Sequence, residues 1–295
     1  MQKNRLSGRF WYLTPLSKSN IDMLNISRTM RLPFRSFLLY FPSCVMKANM
    51  MNIKSHKQAE VNIAGRLGFW AAIVVSVLNV WFFIAYGLYQ PIQMAAWHGL
   101  SQFAAEFRPL PLLAWVIPCL ILAPAFLIMV CCIHYYTEME RKIWSILAIC
   151  FAVSYTTLMS VNYYIQLTVV QHNLLEGKTD GLLLWLYAYS YPRSFPGAFE
   201  GVAYGFMCIA FLLSSQAFGQ GKLKQWVKWT FIGAGITGSV VFIDPLFRLP
   251  MTVLMVDGFF AAIFLIGAPI LLAILFRRIM SPTPRVDPES ANLSS

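Results

Sequence analysis

Six stretches of this chain are long, apolar and almost free of charge: 68–89, 112–133, 144–169, 197–218, 229–247 and 251–276. Each meets the requirement of roughly 20 residues for a helix that crosses the hydrocarbon core of a bilayer. The core of a soluble domain would show shorter apolar runs, broken by polar faces. Composition agrees, since only 12% of the 295 residues are charged, against about a quarter in ordinary soluble domains. In lipid each backbone group must find its partner inside the protein, and a helix supplies it within one segment. The chain is therefore expected to be all-α, a polytopic membrane bundle of about six transmembrane helices.

The net charge of +11 is unevenly placed. When the spans alternate across a membrane, nineteen of the 23 Lys and Arg residues fall on one side. Only Arg108, Lys178, Arg193 and Arg248 fall on the other. The positive-inside rule then puts both termini in the cytoplasm, as an even number of spans requires. Basic residues spread over membrane-flanking segments argue against nucleic acid as a partner, and the lipid bilayer takes its place.

The transmembrane domain occupies 51–278. Residues 1–50 form a basic extension in which Asp22 is the sole acid. This stretch reads as an arm on anionic lipid, as a transit peptide, or as residues upstream of a start at Met50 or Met51. The abrupt change of composition there favours the last reading. The tail, 279–295, is rich in proline and small polar residues and is expected to be disordered.

Polar side chains within the spans gather toward one end. Asp257 lies six residues into the last span, about 9 Å deep at ~1.5 Å per residue. Glu200 lies about one turn into the fourth span, and Tyr204 one turn further. Asn162, Tyr164 and Gln166 come near the outer end of the third. Asp244 and Arg248 flank the turn between the fifth and sixth, and Arg193 precedes the fourth. Together these nine residues are expected to line a polar pocket in the outer leaflet. An ionised carboxylate facing lipid costs ~2.5–3.5 kcal/mol on insertion scales, so Asp257 and Glu200 should point into the bundle or a cavity. A structural network of interhelical hydrogen bonds explains the same pattern equally well.

Glycines mark the places of close helix approach. Gly197, Gly201 and Gly205 recur every four residues, a stripe that admits a neighbouring helix or a second copy of the chain as a homodimer. The GAGITG run (233–238) spells a dinucleotide fingerprint, but that motif needs a preceding strand. Within an apolar span, Gly235 and Gly238 are read as packing positions. No CxxC, HxxxH or HExxH spacing suggests a metal. No GxSxG or serine–histidine arrangement suggests a nucleophile, so no catalytic residue and no cofactor is assigned.

The run Asn162-Tyr163-Tyr164-Ile165-Gln166-Leu167, with Pro196, Glu200, Gly201 and Tyr204, resembles a group of uncharacterised bacterial multipass membrane proteins. The resemblance covers roughly 60–278. It implies a six-helix fold in a bacterial inner membrane and brings no known activity with it. The expected function is binding or sensing of a small molecule or lipid at the outer polar pocket. A proton- or cation-coupled transporter is the alternative, and a membrane enzyme using Glu200 and Asp257 as a carboxylate pair is the second.

Overall fold

The computed structural model describes residues 60–88, 99–186, 194–247 and 249–280, all within one compact unit, Lys54–Ser295. The expected extension 1–50, residues 281–295 of the tail, and both Arg193 and Arg248 lie outside the described residues. Every regular element among those described is helical. They are α1 (Glu60–Leu88), the short α2 (Leu100–Glu106), α3 (Pro109–Tyr136), α4 (Lys142–Ile165) and α5 (Gln171–Leu175). There follow α6 (Phe195–Ser215), α7 (Lys222–Thr237), α8 (Ser239–Phe247) and α9 (Met251–Met280).

Six helical segments are long and apolar enough to cross a membrane, among them Met139–Leu175, which joins α4 to α5, and Lys222–Asp244, which joins α7 to most of α8. The turns α3–α4 and α6–α7 lie at one end, here called the basic end, with Arg141, Lys142, Lys222 and Lys224. The opposite end is the distal end.

The fifth span departs from the expected 229–247. It begins at Lys222 and breaks at Gly238 into α7 and α8. A composition window sees the lysines of α7 as loop. A helix, however, extends past the hydrocarbon without penalty, and lysine stems reach back along its surface. The third span also changes winding, passing through a π-helical turn at Gln166–Val170. Such single-turn insertions re-aim the side chains around them.

The core is built around α3, which buries Trp115, Val116, Phe126, Met129 and Ile133. Aromatic rings continue it across the bundle. Phe126 meets Tyr155 of α4 at 5.4 Å and Phe211 of α6 at 5.0 Å, and Phe211 meets Phe231 of α7 at 5.2 Å. Such pairs add about 0.5–1.5 kcal/mol beyond the area they bury.

Two prolines inside long helices explain how α1 is seated. A proline lacks an N–H, so the carbonyl four residues earlier loses its helical partner. Pro118 in α3 frees Ala114 in this way, and Pro269 in α9 frees Leu265. Both carbonyls are taken up by α1. Trp81 Nε1–H donates to the Ala114 carbonyl at 2.8 Å, and Asn79 Nδ2–H donates to the Leu265 carbonyl at 3.1 Å. Toward the basic end, a Cβ added at Gly68 would fall 2.6 Å from the Phe276 ring of α9 and 2.9 Å from Cys132 Cβ of α3. Helix α1 therefore lies in the groove between α3 and α9.

Candidate functional site

At the distal end α4 turns one face into the bundle. Successive residues on a helix are about 100° apart, so only some of the polar run 162–166 can face inward. Asn162, Tyr163 and Gln166 do, and each is buried. Asn162 Nδ2–H donates to the Pro196 carbonyl at 3.5 Å, and Gln166 Nε2–H donates to the Trp185 carbonyl at 2.9 Å. The start of α6 is prepared by Ser194, whose hydroxyl accepts from the Gly197 N–H at 3.4 Å, with a proline in the first turn. These bonds tie α4 to the segment that leads into α6.

Glu200 is half-buried on α6. The Tyr163 hydroxyl donates to its Oε1 at 3.3 Å and also meets Cys119 of α3 and Tyr204 of α6. The rings of Tyr155 and Tyr204 lie 6.3 Å apart, and Trp115 sets its edge against Tyr163 at 6.1 Å. One carboxyl, three phenols and one thiol are thus drawn together among α3, α4 and α6. A carboxylate accepts only and a phenol donates, so the group is internally complementary.

Of the expected pocket, the structure gathers Glu200 and Tyr204 around Tyr163, while Asn162 and Gln166 bond the backbone of Pro196 and Trp185. Tyr164 does not belong with them. It is 62% exposed on the outer face of α4, because Tyr163 takes the inward position beside it. Tyr163 is thus the residue that sequence reasoning left out of the site. The sequence signal was ambiguous, since Asn162, Tyr163 and Tyr164 cannot all three face inward and nothing in composition says which tyrosine turns out.

Asp244 is occupied elsewhere. Its Oδ1 accepts from the Leu249 N–H at 2.9 Å and closes the turn from α8 to α9. Asp257 has other neighbours than Glu200, among them the Cys208 thiol of α6. It lines an open recess of about 420 Å³ with Val240 of α8 and Thr252, Val253, Val256 and Phe260 of α9. No side chain whose burial is described between Thr252 and Phe260 is buried; Leu254 and Asp257 are half-buried and the others exposed. Lys178, one of the four basic residues assigned to this end, is paired with Glu176 at 2.6 Å in the loop after α5. Hydrogen bonding to that ammonium holds the Glu176 carboxyl below its ordinary range.

Three of the glycines expected at packing positions, Gly205, Gly235 and Gly238, meet neighbours within the chain. A Cβ at Gly205 would meet Phe242 of α8 at 3.0 Å. One at Gly235 would lie 2.5 Å from Leu212 Cγ, and one at Gly238 would lie 2.5 Å from Cys208 Sγ. Gly201 is buried and Gly197 half-buried on the same helix.

A serine–histidine contact that no sequence spacing announces appears at the basic end. His134 Nδ1 lies 2.8 Å from Ser145 Oγ, and the same hydroxyl donates to the Lys142 carbonyl at 2.9 Å. With its proton directed to the backbone, Ser145 accepts from the imidazole. The pair joins the end of α3 to the start of α4 and offers no activated nucleophile. Among the described residues no cluster of His, Cys, Asp or Glu could hold a metal ion.

Fold and site together define a class: an all-helical bundle with six helices of membrane-spanning length, a tyrosine–carboxylate centre and a separate carboxylate in an open recess. Comparison of the chain with protein-family models, with curated proteins and with solved structures finds no match.

Proposed function

We propose that this chain is a multipass membrane protein, both termini cytoplasmic, that binds or senses a small amphiphile or lipid from the outer leaflet of a bacterial inner membrane. One observation carries the reading: the Asp257 carboxyl, together with Thr252, lines an open recess whose apolar walls are Val240, Val253, Val256 and Phe260. Apolar walls with a few polar groups are what an amphiphile requires, since the tail replaces lipid and the head finds a fixed partner. The charge bias of the termini and turns supports the orientation.

The transporter alternative is supported by Glu200, a carboxyl inside the bundle hydrogen-bonded to Tyr163. The described contacts of the two carboxyls differ, however, Glu200 bonding Tyr163 and Asp257 lining the recess, and no described contact between them supports a shared ion path or a catalytic pair. The Glu200 centre is better suited to holding α3, α4 and α6 together.

Photo-crosslinking tests the binding reading. The full chain is placed in nanodiscs with a trace of a diazirine-bearing single-chain amphiphile, with and without excess unlabelled competitor. Competitor-sensitive labels are expected on Val240, Val253, Val256 and Phe260, and Val240→Trp, which fills the recess, should abolish them. Equal labelling of every lipid-exposed face, unaffected by competitor, would rule the recess out as a site.

A further inference from the structure

We infer that the occupant of the α8–α9 recess is an amphiphile with an ammonium head, its charge held by Asp257 and its tail lying along Val240, Val256 and Phe260. This rests on the binding reading above and adds the chemistry of the head. The state of Asp257 points to a cation. Among the described residues its carboxyl has no hydrogen bond and no ion pair; its electrostatic neighbour is the Cys208 thiol of α6, which supplies no positive charge, and no Lys, Arg or His lines the recess. Glu200 and Asp244, by contrast, are engaged, Glu200 by Tyr163 and Asp244 by the Leu249 N–H. An anion left alone at this depth is costly, and a bound cation removes that cost.

The composition of the recess agrees. Among the described residues its polar groups are the Asp257 carboxylate, which only accepts hydrogen bonds, and the Thr252 hydroxyl, which accepts or donates, on one helix five residues apart. The one ionisable group in this lining is an acid, which matches a cationic head rich in N–H groups. A carboxylate or phosphate head would meet repulsion from Asp257 with no described cation to offset it. Access narrows the cation further. The recess opens sideways between α8 and α9, whose flanking residues Phe242, Val253, Val256 and Phe260 are exposed. An occupant therefore enters from the bilayer, which selects a chain-bearing amine over a free one.

Thermal unfolding of the full chain in a nonionic detergent distinguishes the possibilities. The probes share one twelve-carbon chain and differ in the head: dodecylammonium, dodecyltrimethylammonium, dodecanol and dodecanoate. Dodecylammonium is expected to raise the melting temperature of the wild type by several degrees, dodecyltrimethylammonium by less, and the other two not at all. Asp257→Asn should weaken the ammonium response at least tenfold in concentration, Asp257→Glu should keep it, and Val240→Trp should remove it. Equal shifts from all four heads, retained by Asp257→Asn and lost in Val240→Trp, would overturn the ammonium head and leave the binding reading standing. No shift from any probe, or shifts that Val240→Trp leaves intact, would overturn both.

Discussion

The seating of α1 makes a quantitative prediction that ordinary burial arguments do not. Asn79→Leu keeps the volume of the side chain and removes the donor to the Leu265 carbonyl. That carbonyl has no helical partner, because position 269 is proline. An unsatisfied buried acceptor costs about 1–3 kcal/mol, whereas interhelical side-chain bonds in membranes average only ~0.6 kcal/mol and reach ~1.7. The larger range applies here because no alternative donor remains. We expect Asn79→Leu to cost about 1–2 kcal/mol. In a Pro269→Ala background the residue 269 N–H returns, bonds Leu265 within the helix, and makes the Asn79 donor redundant. The same Asn79→Leu change should then cost close to nothing. The coupling in this double-mutant cycle should thus exceed 1 kcal/mol, about twice the ~0.5 kcal/mol scatter of independent sites. Reversible unfolding of the full chain in mixed micelles measures it. Equal costs of Asn79→Leu in both backgrounds would refute the reasoning. Trp81→Phe with Pro118→Ala should show the same sign and a smaller size, because Trp81 is 56% exposed.

Two further outcomes follow from the packing. Gly235→Ala forces a Cβ to 2.5 Å from Leu212 and 2.9 Å from the Cys208 carbonyl, and should lower stability by about 1–3 kcal/mol; Gly258→Ala, with no neighbour within 4 Å, should be tolerated, both read by thermal unfolding. Tyr163→Phe removes the donor to Glu200 and should cost about 1–2 kcal/mol, while Tyr164→Phe on the exposed face leaves the melting temperature unchanged.

The six spans were legible because lipid imposes length and hydropathy directly on the chain, so runs such as 112–133 announce a helix before any packing is considered. Their ends were less legible. The lysines at 222, 224 and 228 look like a loop by composition, yet hydrogen bonding inside the helix continues through them. The break at Gly238 and the π turn at Gln166–Val170 reflect tertiary fit: Gly238 sits against Cys208, where no side chain has room. Pro118 and Pro269 were visible as prolines, and Asn79 as a polar residue in mid-span. Their connection was not, because it needs the knowledge that α1 lies between α3 and α9.

Depth along a span and direction around it differ in what they demand of a sequence. Counting residues from the end of a helix gives depth, and on that measure Glu200 and Asp257 stand at the same height. Direction depends on which neighbours each helix has. Helix α6 packs between α4 and α7, so Glu200 meets the Tyr163 hydroxyl. The distal third of α9 buries no described side chain, and Asp257 lines the recess beside α8. Two carboxyls at similar depth therefore differ in their surroundings. Glu200 accepts from a phenol of its own fold, and Asp257 has no described donor and mostly apolar walls, which is the condition on which the proposed partner from outside the chain rests.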